Sequence, residues 1–99
     1  MTETLQERIE IFQIACLSAR YSYEGFMSYG QRQALFGRLS KFYKSIGVTD
    51  IGRDDRLALV SGLIGRSLTS FSDISYGEAK LILNELELSE FLERIYYGQ

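Results

Sequence analysis

The sequence has no histidine, no proline and no tryptophan, and a single cysteine, Cys16. Each absence excludes something. Without His, the side chain that most often moves protons near neutral pH and ligates transition metals is missing. One cysteine forbids an intramolecular disulfide and excludes a cysteine-rich metal site. Loop-rich and edge-strand folds commonly place proline in turns, whereas a run of helices can do without it. No apolar run approaches the ~20 residues that span a bilayer, and Met1 to Glu10 is polar and acidic where a secretory signal is basic and then apolar. The expectation is a cytoplasmic protein with no membrane association and no cofactor. Bulk positive charge is lacking too: the formal net charge is −2, so nucleic acid can be met only through a local basic patch.

What is present suits one small domain over residues 1–99. Hydrophobic residues make up 45%, with seven Tyr and six Phe, enough for a single core though domains of this size are marginal. From Leu5 to Arg20, Leu5, Ile9, Phe12 and Cys16 recur at helical spacing, broadened by Ile11, Ala15 and Ala19. Tyr21 to Met27 shows no period and reads as a connector whose aromatics fill core. Ser28-Tyr-Gly-Gln31 has the capping-box form and opens a second helix that buries Leu35, Leu39, Phe42 and Ile46 and stops at Gly47. Asp54 or Asp55 is expected to cap a third helix that buries Leu57, Val60, Leu63 and Ile64 and ends at Gly65.

Arg66 to Ile74 reads as a connector with Leu68, Phe71 and Ile74 inward. Ser75-Tyr-Gly-Glu78 repeats the capping box before a fourth helix with Ala79, Ile82, Leu83 and Leu86. The chain then either bends near Ser89 or runs straight on to Tyr96. The two Ser-Tyr-Gly signals, 47 residues apart, read as independent uses of one start signal. The fold class is therefore all-α, a compact bundle of four to five helices, centred on the second, third and fourth. Residues 28–88 form its core and 89–99 an acidic, aromatic tail.

Charge is uneven. Residues 28–47 hold Arg32, Arg38, Lys41 and Lys44 with no acid, whereas residues 76–99 hold two cations and five acids. The helical period sets Arg38, Lys41 and Lys44 opposite the apolar stripe. Such a face can meet phosphates, with Tyr29 or Tyr43 near enough to stack on a base; it can equally be a solvated face balanced by acidic neighbours. Arg53 and Arg66, with Arg56, extend the candidate patch, although Asp50, Asp54 and Asp55 are interleaved and suit surface pairing or capping. Adjacent Asp54 and Asp55 diverge on a helix, and no third ligand has metal spacing. Cys16 lies on the apolar stripe with no His to take its proton, so a buried structural thiol is expected rather than a nucleophile. Glu78 reads as a capping acid, and Gly62, Gly65 and Gly77 are too scattered to cradle phosphate. No acid–base constellation is present, which points to binding rather than catalysis.

The stretch Gly65-Arg-Ser-Leu-Thr-Ser-Phe-Ser-Asp-Ile-Ser-Tyr-Gly-Glu-Ala79, followed by Leu83 and Leu86, resembles a short helical module. That module is found at the ends of phage single-strand annealing and recombination proteins and in small phage or bacterial open reading frames. Gln31 or Gln33 matches its Gln-containing helix, Gly65-Arg66 its turn, Thr69-Ser70 its connector, and Ile74-Ser75-x-x-Glu78-Ala79 its final helix start. The resemblance spans residues 28–88. It implies a helical fold and an accessory protein of a phage or mobile element that engages nucleic acid or a nucleoprotein complex. The alternative is a protein-interaction module, such as an inhibitor of host defence of the anti-CRISPR kind, with a protein partner and no direct contact to nucleic acid.

Overall fold

A computed structural model describes residues 3–98, all-helical in its regular elements. Five α-helices follow one another: α1 Leu5–Ala19, α2 Tyr29–Ser45, α3 Arg53–Ile64, α4 Tyr76–Asn84 and α5 Leu88–Tyr97, with a 3-10 turn at Phe71–Asp73 before α4. The radius of gyration of 12.9 Å matches the value expected for about 100 compactly folded residues.

Local chemistry explains most boundaries. The Thr4 hydroxyl accepts the Glu7 amide at 3.1 Å and starts α1. Ser28 and Gln31 close a reciprocal capping box at α2, and Ser75 and Glu78 another at α4. Gly65 adopts φ 79°, a left-handed conformation costly for residues with a Cβ, and stops α3. The start of α3 differs from expectation. The capping position is Gly52, with no side-chain hydrogen bond, and Asp54 and Asp55 lie within the first turn, where their charge faces the positive end of the helix dipole.

The arrangement also differs from a bundle centred on α2, α3 and α4. α1 packs against both α3 and α4, while α2 lies on α4 and α5 on α3. Ile9, Phe12 and Cys16 of α1 are all buried, and the Phe12 ring meets Phe91 of α5 edge-on at 5.7 Å. Polar bonds fix the same helix: the Gln13 side chain donates to the Gly62 carbonyl at 3.0 Å, and the Ser75 hydroxyl donates to the Ala19 carbonyl at 2.8 Å. Gly77 lets the ends of α1 and α4 approach so closely that a Cβ there would lie 2.8 Å from the Ala19 oxygen.

Two connections depart from their expected burial. Tyr21, Tyr23 and Phe26 do not fill core; all three are exposed, while Met27 tucks inward. Backbone pairing is the reason. The Met27 amide donates to Ile74 at 2.9 Å and the Tyr76 amide to Gly25 at 2.8 Å, making an antiparallel bridge between Phe26 and Ser75. Neighbouring side chains on such an extended segment point to opposite sides, so seating Met27 turns Phe26 out. Further on, α4 ends at Asn84 and the chain bends through Glu85–Glu87, ahead of Ser89. Leu86 therefore leaves the apolar stripe and is fully exposed, while Leu88, Phe91 and Leu92 bring α5 into the core.

Candidate nucleic-acid interface

α2 is a 17-residue helix whose buried side is Leu35, Leu39, Phe42 and Tyr43. A single buried stripe leaves the opposite arc to water, and Arg38, Lys41 and Lys44 are exposed there. Successive threes along the helix place these cations about 4.5 Å apart in rise, spanning about 9 Å. Ala34, Gly37 and Ser40 are exposed on the same helix, so small side chains adjoin the cations.

Among the described residues the ion pairs join Arg8 to Glu87 and Glu90, Arg53 to Asp54, and Arg66 to Glu78. Arg38, Lys41 and Lys44 take part in none of them. Arg38 and Lys41 border a groove of about 420 Å³ whose far wall includes Glu85, Leu86 and Ser89. Glu85 is the acid that lines this groove, and one of its oxygens accepts the Glu87 amide at 3.1 Å.

The other sequence candidates separate. Arg32 is exposed but sits apart, its guanidinium 5.2 Å over the Phe36 ring, which in turn meets Phe71 edge-on. Arg53, at the start of α3, is exposed, lies 3.7 Å from Asp54 and donates to the Thr69 carbonyl at 3.5 Å. Two candidates require correction. Tyr43 is buried, its ring packed against those of Phe42 and Tyr96 at 5.5 and 5.9 Å, so it offers no face to a base. Its hydroxyl donates to the Asp55 carbonyl at 3.4 Å, and burial, helped by the Asp55 charge, raises its pKa. It lies one helical turn beyond Leu39, on a stripe wider than the one read from the aliphatic residues.

Arg66 is the second correction. Its Nε and Nη2 donate to the two Glu78 carboxylate oxygens at 2.9 and 2.8 Å, and Nη2 also donates to the Asp73 carbonyl at 2.7 Å. The Arg66 side chain is 20% exposed and that of Glu78 1%. A fork held on a buried carboxylate joins the α3–α4 connection to the start of α4 rather than reaching for phosphate. Burial alone would push the Glu78 carboxyl up; the Arg66 hydrogen bond, the Ser75 amide and the Arg66 charge outweigh it and hold the pKa below its ordinary value.

The sequence reading missed the exposure of Tyr21, Tyr23 and Phe26, which with exposed Tyr29 lead along the chain into the basic helix. Its signal was the absence of helical period, which fits a surface connector as well as a buried one. Cys16 is fully buried, and burial together with the Glu78 charge raises its pKa to about 12, so it is a thiol and not a thiolate. No group of three or more potential metal ligands gathers among the described residues, and none of their helices is long and apolar enough to cross a membrane. Comparison with protein-family models, with curated proteins and with solved structures finds no match to this chain.

Proposed function

We propose that this protein binds nucleic acid, or a nucleoprotein complex, through the cationic face of α2, as an accessory protein of a phage or mobile element that binds rather than catalyses. One observation carries the reading: Arg38, Lys41 and Lys44 stand exposed together, outside every ion pair among the described residues, in a chain of net charge −2. They lie on one helix face within a segment, residues 28–47, that holds four cations and no acid. The exposed Tyr21, Tyr23, Phe26 and Tyr29 favour a single strand, because unpaired bases stack on aromatic faces that a duplex does not engage. The resemblance of residues 28–88 to a module of phage annealing proteins points the same way.

The test is the salt dependence of binding to a short single-stranded oligonucleotide, read by fluorescence anisotropy. Three phosphate contacts give a slope of log K against log salt of about −2. A flat response overturns the reading. Exposed aromatics also favour a second one, a protein-interaction module of the host-defence-inhibitor kind, in which Tyr21, Tyr23 and Phe26 anchor on a protein partner. Contacts of that type are far less sensitive to salt.

A further inference from the structure

α1 carries a second apolar face. Opposite the buried Ile9, Phe12 and Cys16, Ile11, Ile14 and Leu17 are 52%, 66% and 65% exposed. Residues spaced by three form a continuous ridge along one side of a helix. Contiguous exposed aliphatic surface of this kind marks an interaction site more often than a solvated one. Beside the ridge runs a furrow of about 460 Å³ lined by Glu10, Gln13, Ile14, Leu17, Arg20 and Ile64, among others.

The charges at its ends are opposite in sign. Glu7 and Glu10, toward the N-terminal end, are exposed, and among the described residues their carboxylates accept only from the neutral side chains of Thr4 and Gln6. Arg20, at the C-terminal end, is exposed, lies over the Tyr21 ring at 5.4 Å and joins no ion pair among the described residues. An apolar centre with acid at one end and base at the other complements itself when reversed.

We infer that this face joins two copies of the chain, α1 against α1, antiparallel about a two-fold axis near Ile14. Ile14 then meets Ile14 of the second copy, and Leu17 meets Ile11. Arg20 stands six residues after Ile14, and Glu10 and Glu7 four and seven before it. At 1.5 Å per residue the reversed helix brings Arg20 to a level between those two carboxylates. A parallel pairing would set Glu7 and Glu10 against their own copies and repel. Both ends are satisfied at once only in the closed, isologous arrangement. The ridge shares no residue with the cationic face of α2, so self-association and nucleic-acid binding stand or fall separately.

Sedimentation equilibrium on the full chain, up to about 1 mM, tests this; weaker association would carry little specificity. The wild type should pass from monomer to dimer as concentration rises. Leu17→Glu should remain a monomer with unchanged helical circular dichroism, since it alters only an exposed position. Arg20→Glu and Glu10→Arg should each weaken the dimer about tenfold, because two symmetric contacts become repulsive. The double variant Glu10→Arg with Arg20→Glu should recover the affinity lost by either. A wild type that stays monomeric throughout overturns the inference. So does a Leu17→Glu protein that dimerises like wild type, or a double variant no better than the single ones.

Discussion

Among single residues, Glu78 has the most to hold together. Its carboxylate accepts the Ser75 amide, completing the α4 capping box, and receives both arms of the Arg66 fork, while its own amide donates to the Ser75 hydroxyl. Removing Arg66 leaves that carboxylate buried without its cation. Arg66→Ala should therefore cost about 3–5 kcal/mol in urea unfolding, a large share of the ordinary stability of a small domain. The sign of the pH dependence follows from the depressed pKa. Ionised Glu78 stabilises the fold above its ordinary value of 4.5, and that contribution is lost as the pH falls through the lower folded value. Unfolding midpoints should decline as acid is added below pH 4.5, and Glu78→Gln should flatten that decline. The capping role of Glu78 was legible from Ser75-x-x-Glu78. Its pairing with Arg66 was not, because the turn that brings together residues twelve apart leaves no periodic mark. The burial of Cys16 was legible from the spacing Phe12 to Cys16, and a thiol reagent should label the native protein slowly and the unfolded protein quickly.

At the level of elements, the two capping boxes look alike in sequence yet carry unequal loads. Ser28 is exposed, whereas Ser75 is buried and its hydroxyl also bonds the Ala19 carbonyl, tying α4 to α1. Ser28→Ala should cost about 1 kcal/mol and Ser75→Ala about 2 kcal/mol, near the top of the capping range, when denaturation midpoints are compared. The glycines divide in the same way. A Cβ at Gly37 meets nothing within 4 Å, so Gly37→Ala should stabilise the protein by about 1 kcal/mol through helix propensity. At Gly77 a Cβ runs into the Ala19 oxygen, and Gly77→Ala should destabilise by about 1–3 kcal/mol. Helix starts and stops with a side-chain or glycine signal were readable, as at Ser28, Gly65 and Ser75. The start of α3 was not, since Gly52 caps it through backbone alone and the nearby aspartates offered a false signal. Leu86 misled for a related reason: it continues the spacing of Ile82 and Leu83, but α4 has already ended at Asn84.

For the molecule as a whole, fold class followed from periodicity and from the missing proline, while packing order did not. Amphipathic stripes say which face of a helix is buried but not against which neighbour. The contacts that place α1 between α3 and α4 run through Gly77, Gln13 and Ser75 and are encoded by no repeat. The basic face was legible for the converse reason: once Leu35, Leu39 and Phe42 are buried, the period leaves Arg38, Lys41 and Lys44 in water. The wider patch was not, because Arg66 and Tyr43 found partners inside the protein. Exposed charges contribute little to stability, so the cations can be reversed without unfolding the helix that carries them. The most direct measurement is a low-salt anisotropy titration of a single-stranded oligonucleotide with wild type and with Arg38→Glu, Lys41→Glu and Lys44→Glu combined, each checked by circular dichroism. Binding by the wild type and none by an equally helical triple variant is the expected result; equal affinity of the two, or no binding by the wild type, would contradict the account.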